Sequence, residues 1–227
     1  IKTEVIPLMV DTRNFAPKSD TGRSTSETVK SKEKVFIYHG GLNSWHSPNL
    51  LALIFKNIKE KLPDVHLMVL TGFDNDRLHK VFQQFGLGES DYSINWVNFS
   101  EVPSFLSLAD YAIIPGDNLK NNTDLAVKTI YDTMLGTKFV ECLASGLPII
   151  ANENIRGLRQ LISQNNIGMT FSTEALEDIP DKMQDLELRY DEVREKCIKF
   201  ATEYFDIEVN ATRYFTAYNH LISVNTV

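Results

Sequence analysis

Short apolar runs alternate with segments of helical period through most of the chain, and this alternation constrains the fold more than any other feature. The runs are VFIYH (35–39), VHLMVLTG (65–72), INWVNF (94–99), YAIIP (111–115), LPIIAN (147–152) and IGMTF (167–171). A strand with one wet face alternates polar and apolar residues, whereas a strand covered on both faces is apolar throughout. Between the runs lie helical segments at 48–61, 74–85, 102–110, 137–145 and 158–165. Pro48 suits the first turn of its helix, and Gly146 suits a stop. Strand and helix in strict alternation predict an α/β fold: a doubly wound, Rossmann-like parallel sheet of about six strands with helices on both faces. From about Glu174 onward the pattern is helical, with two longer helices expected over 186–204 and 208–222, giving a helical C-terminus.

The flanks differ from this centre. Residues 16–33 are rich in Ser, Thr and Lys and carry no apolar period, as a linker does. The expected organisation is an extended interdomain segment and flexible linker over 1–33, a ligand-binding domain over 34–185, and C-terminal helices packed on it over 186–227. A chain that opens at Ile1 in an extended apolar stretch, not at Met, reads as part of a longer protein.

Charge and cysteine content narrow the function classes. The net charge is −7, with 23 Lys plus Arg against 30 Asp plus Glu and no basic block, so no nucleic-acid partner is expected. Any anion must then be held by a local site. Cys142 and Cys197 read as small core residues in a reducing, cytoplasmic setting. They and five scattered His have no zinc-ligand spacing. No apolar run is long enough to span a bilayer.

In a doubly wound sheet, ligands sit beyond the carboxyl ends of the strands. The informative loops are therefore 40–47, 71–76, 98–103, 115–137 and 152–157. Gly40 and Gly41 follow the first strand directly, so backbone can approach a ligand there. The loop is neither a P-loop nor a GxGxxG fingerprint. Asp74 and Asp76 have the spacing of a metal–diphosphate pair, but Asp74 equally suits the cap of the next helix. The loop 116–135 is polar and is expected to be mobile without ligand. The richest stretch is 135–150, LGTKFVECLASGLPII. A helix opening near Thr137 offers free N–H groups to an anion, and Lys138 adds a positive charge. Glu141, three residues on, shares its face. Its carboxylate can accept hydrogen bonds from the two vicinal hydroxyls of a ribose. Alternatively, Lys138 and Glu141 are only a surface pair.

Five segments in order resemble the carboxyl-terminal, nucleotide-sugar-binding half of GT-B glycosyltransferases of family 4. They are VIPLMVDTRNFAP, VFIYHGGLNSW, HLMVLTG, VNFSEVPSFLSLADYAIIP and TKFVECLASGLPIIAN. The resemblance implies that this chain is half of a GT-B architecture, whose missing amino-terminal domain holds the acceptor. The implied activity is transfer of a sugar from a nucleoside-diphosphate sugar to a glycan, lipid or protein acceptor. That makes the parent a retaining hexosyltransferase of polysaccharide-type biosynthesis, and this fragment alone inactive. No metal and no cofactor beyond the nucleotide-sugar substrate are implied. Location in the cytoplasm, with peripheral contact at the inner membrane face through the absent domain, follows from the same resemblance.

The nucleotide-sugar site is expected at Gly40, Gly41, Trp45, Thr71, Gly72, Asn98, Thr137, Lys138 and Glu141, with Lys120, Lys128 and Arg156 as further phosphate candidates and no residue assigned to catalysis. Two departures stand out. Thr133 occupies the position of the family's first glutamate, and residues 40–48 lack the Arg and Lys that many members use for the diphosphate. Three other readings remain open at this point: a non-catalytic nucleotide-sugar- or partner-binding module, a nucleotide-sugar epimerase-like enzyme, and a metal-dependent transferase using Asp74 and Asp76.

Overall fold

A computed structural model describes residues 5–17, 33–42, 47–116, 129 and 135–224. Among these, six parallel strands form one sheet: β1 (Lys34–His39), β2 (Val65–Leu70), β3 (Tyr92–Asn95), β4 (Tyr111–Ile114), β5 (Ile149–Asn152) and β6 (Gly168–Phe171). The spatial order is β3-β2-β1-β4-β5-β6. The α/β doubly wound class read from the sequence is the observed one. Strand order reverses between β1 and β4, which opens a crevice at the carboxyl ends on either side of β1. The interiors of β1, β2, β4 and β5 are fully buried, so their apolar character reflects cover on both faces.

Helices supply the cover. They are α1 (Pro48–Lys61), α2 (Asn75–Gln84), α3 (Val102–Leu106), α4 (Thr137–Ala144), α5 (Arg156–Asn165), α6 (Ile179–Leu188), α7 (Tyr190–Phe200) and α8 (Ile207–Val224). Helix α1 buries Leu51, Ile54, Phe55 and Ile58 and packs against α2 and α6. Helix α4 packs against α7. Ser47 caps α1, Asp74 caps α2 by accepting from the Arg77 N–H at 3.0 Å, and Pro48 sits in the first turn of α1. The stop after α4 requires glycine: Gly146 has φ +72, and the Gly146 and Leu147 N–H groups return to the carbonyls of Leu143 and Cys142.

Two segments depart from expectation. The strand expected over 94–99 is Tyr92–Asn95. Its register on β2 pairs Leu70 with Asn95, so the ladder ends where β2 ends. The helix expected over 186–204 breaks at Arg189 into α6 and α7, and a π-helical turn, Ala201–Phe205, follows α7. The break leaves Leu188 81% exposed, while Glu187 and Tyr190, on either side of it, both reach Lys34.

The segment before β1 is anchored to the far end of the chain. Val10 forms a parallel bridge with Asp206, exchanging hydrogen bonds with the Phe205 carbonyl and the Ile207 N–H. Thr12 donates to Asp206, and Phe15 is buried. Cys142 and Cys197 are both buried thiols. No helix among the described residues is long and apolar enough to cross a membrane.

Candidate functional site

A cleft of about 470 Å³ opens beyond the carboxyl ends of β1, β2 and β3, against the start of α4. Seven residues named from the sequence line it: Gly40, Gly41, Thr71, Gly72, Thr137, Lys138 and Glu141. Asn98 is adjacent but turned to other work. It opens a short 3₁₀ turn and bonds Glu101 through both its backbone and its amide. Arg156 begins α5 and is exposed, outside the residues lining the cleft. Trp45, Lys120, Lys128 and nearly all of the loop 116–135 lie outside the described residues.

Helix α4 meets the cleft with its amino end. Its N-cap is Gly136, which has no side chain to satisfy the first N–H groups. The Phe139 N–H turns back to the Gly136 carbonyl, and among the described residues no acceptor meets the Thr137 and Lys138 N–H groups. Partial positive charge and unmet donors make this end suited to an anion.

Lys138 does not extend into solvent. Its Nζ donates to the Tyr38 hydroxyl at 3.1 Å and sits 4.9 Å from that ring's centroid. Its stem crosses Gly40, where an added Cβ would stand 3.0 Å from Lys138 Cε; Gly40 also has φ +114. Burial lowers the lysine pKa to about 8, although Cys142 and Glu141 pull it the other way.

Glu141 lies one turn deeper and is 8% exposed. Burial raises its pKa, with Lys138 partly opposing. No ion pair joins it to Lys138 among the described residues. Among the described residues the basic group that reaches it is His39, with Nδ1 3.7 Å from the carboxylate Oε2. Burial and the Lys138 charge lower His39 to about 4, so at neutral pH the imidazole is uncharged. Its Nε2 lies 3.4 Å from the Cys142 sulfur. The carboxylate therefore retains acceptor capacity toward the cleft.

The sequence reading missed His39, Tyr38, Trp96 and Phe99. Trp96 is 70% exposed and Phe99 67%, and both line the cleft. The flat face of Gly72 lies under the Trp96 indole, with Cδ1 3.5 Å from where a Cβ would be. Large apolar rings left in solvent at a cleft rim were the available signal. Reading INWVNF as strand concealed it. Among the described residues no group of three or more His, Cys, Asp or Glu could hold a metal ion.

Comparison with known proteins bears on the fold and the family. The pattern of the family Glycosyl transferases group 1 matches residues 23–204. No curated protein sequence matches the chain. Among solved structures, the C-terminal domain of a glycosyl transferase group 1 family protein (LpcC) from Francisella tularensis is similar at TM-score 0.65 and 18% identity, over 87% of this chain and 99% of that one. A glycosyltransferase from Rickettsia africae ESF-5 aligns at TM-score 0.74 and 16% identity, over 96% of this chain and 57% of its own. WaaG, a glycosyltransferase involved in lipopolysaccharide biosynthesis, aligns at TM-score 0.67 and 14% identity, over 92% and 54%. At such identities the likeness is one of fold, and the chain spans little more than half the length of the last two. The family pattern covers most of the sequence, and the chain belongs to the group 1 glycosyl transferases.

Proposed function

We propose that the chain is the donor-binding domain of a retaining family 4 GT-B hexosyltransferase, and that the cleft beside α4 takes a nucleoside-diphosphate sugar. One observation carries this reading: a single cleft brings together an uncapped helix amino terminus, Lys138 and Glu141. The diphosphate would lie on the Thr137 and Lys138 N–H groups and the Lys138 ammonium. The ribose diol would donate to Glu141, and Trp96 would offer its face to the base. In transfer, charge develops on the leaving diphosphate, and donors already aimed there favour that charge over the ground state. No group in the described part of the cleft is assigned as a general base. The acceptor, a glycan, lipid or protein, would be held by an amino-terminal domain beyond this chain. This domain alone would then bind the donor without transferring its sugar. Action at the cytoplasmic face of a membrane, in polysaccharide-type biosynthesis, fits the same reading.

Calorimetry with UDP, GDP and ADP, with and without a divalent cation, tests the proposal. Metal-free binding of at least one, weakened by Lys138→Met and by Glu141→Gln, is the expected result. Absence of binding would point to a module whose surface serves a partner, and strict metal dependence would redirect attention to Asp74 and Asp76.

A further inference from the structure

The Lys138 ammonium is held by a neutral oxygen, not by a carboxylate. Tyr38, the penultimate residue of β1, is 1% exposed. Its hydroxyl donates to the Gly41 carbonyl at 2.5 Å and accepts from Lys138 Nζ at 3.1 Å. A phenol has one hydrogen to give and lone pairs to receive, so the two bonds coexist with their directions fixed. The ring lies within cation–π range of the same ammonium.

We propose that Tyr38 is a positioning residue for the diphosphate: its hydroxyl clamps the Lys138 ammonium and the Gly41 carbonyl together, so that the cleft presents a fixed cation and a turned-away carbonyl to the anion. The inference rests on reading the cleft as a nucleoside-diphosphate site.

The physical case has three parts. A lysine stem at a cleft rim is flexible and loses rotamer freedom when it binds; holding it in advance removes that cost from binding. A carboxylate in the place of the phenol would neutralise the charge, whereas the phenol uses one of three N–H donors and leaves two for oxygen atoms of a ligand. The third concerns the turn. The Gly41 carbonyl belongs to the loop that would pass beside the phosphates, and an acceptor facing an anion is repulsive. Engaging that carbonyl with the Tyr38 hydroxyl directs its lone pair into the protein.

The test is a double-mutant cycle on the full 227-residue chain. Wild type, Tyr38→Phe, Lys138→Met and the double variant are titrated with UDP, GDP and ADP, with the corresponding nucleosides, and with pyrophosphate. Tyr38→Phe keeps the ring and deletes the clamp. It is expected to weaken nucleoside diphosphate and pyrophosphate roughly fivefold to tenfold, the scale of one ordinary net hydrogen bond, since the bond acts on the ligand through the lysine. Nucleoside affinity should stay within about twofold, and in the Lys138→Met background Tyr38→Phe should cost clearly less than in wild type, keeping only the part that comes from the freed Gly41 carbonyl.

A second readout follows protonation. The titratable groups around Lys138 among the described residues are Tyr38 and His39 from β1 and Glu141 and Cys142 from α4. Removing an acceptor from the charged form should move the fall of diphosphate affinity to lower pH in Tyr38→Phe. An equal loss in the Lys138→Met background, or for the nucleoside, makes Tyr38 a merely structural residue and overturns the inference alone. If wild type binds no nucleoside diphosphate, the reading of the cleft fails and the inference with it.

Discussion

The sheet has a Lys, a Glu and a Tyr gathered at each end, and the two gatherings are built oppositely. At the amino ends of the strands, Lys34 Nζ lies 2.7 Å from one oxygen of Glu187, and the Tyr111 hydroxyl donates to the other at 2.5 Å. Asp110 beside them accepts from the Val35 N–H at 2.8 Å. Burial alone would lower the Lys34 pKa, but the hydrogen bond and charge of Glu187 outweigh it and the net shift is upward. At the carboxyl ends, Lys138 rests on a phenol, Glu141 faces a neutral imidazole, and burial shifts each away from its charged form. The first gathering is a completed network that ties α6 to the sheet. The second keeps charges desolvated and only partly met, an arrangement that a fold sustains at a binding site and rarely elsewhere.

The contrast predicts opposite responses to paired substitutions, the largest at the lysines. Lys138→Met should weaken nucleoside diphosphate binding by about 1.5–3 kcal/mol, the worth of a charge-assisted hydrogen bond, and leave nucleoside binding nearly unchanged. Because it removes a desolvated charge, it should also raise the melting temperature. Lys34→Met should leave binding unchanged and lower the melting temperature by about 2–4 °C, the shift for roughly 1 kcal/mol in a domain of this size. Calorimetry and thermal melts on both variants measure this. Lysine variants that respond alike would dissolve the distinction.

Affinity should next respond to pH. The bound state keeps Lys138 protonated against the phosphates, while the free state releases that proton above about 8. Binding therefore takes up a proton there, and diphosphate affinity should fall by up to about tenfold per pH unit above 8. Titrations from pH 7 to 10 should show this fall in wild type and a flat profile in Lys138→Met.

Glu141→Gln should weaken nucleoside and nucleoside diphosphate alike, by about 1–3 kcal/mol, since both carry the diol. Its stability effect has a sign. A carboxyl whose folded pKa is raised costs stability as pH rises from the unfolded value through the folded one. The variant should therefore gain over wild type as pH rises above the ordinary carboxylate range. Glu187→Gln, leaving Lys34 without its countercharge, should lose stability and bind normally.

The smallest effect is expected at Trp96. Base stacking on an aromatic ring is worth about 1–3 kcal/mol, and an indole 70% exposed should fall at the low end. Trp96→Ala should weaken nucleotides but not pyrophosphate. In a Trp45→Phe background, the remaining indole fluorescence should change when nucleotide binds.

Much of this was legible in local pattern. The apolar period of 48–61 coincides with α1 (Pro48–Lys61) because a cap, a first-turn proline and a buried stripe all agree there. Likewise Thr137 and Gly146 bracket α4 as their chemistry requires. Each of the six apolar runs meets a strand, most fully at β1, β2, β4 and β5, where burial on both faces leaves a signal in composition. What failed was local pattern where a distant partner decides. INWVNF is rich in strand-forming residues, yet β3 ends at Asn95 because β2 supplies no further partner. A helical pattern spans Arg189, yet the helix breaks there as Glu187 and Tyr190 converge on Lys34 from the other end of the chain.

The sequence by itself determined the architecture class, the helix amino terminus over Thr137 and Lys138, and the presence of Glu141 on the same face. These depend on periodicity, caps and glycine, which act over a few residues. Only the tertiary structure decided the state of the charges. Tyr38 and Lys138 are 100 residues apart in the chain, and His39 and Cys142 are 103 apart. They meet because β1 and α4 flank one crevice of the sheet. Nothing local to either segment says that a lysine will lie on a buried phenol instead of in water, or that a histidine beside a glutamate will be neutral. Desolvation depends on everything packed around a group, and so it is a property of the fold and not of any stretch of sequence.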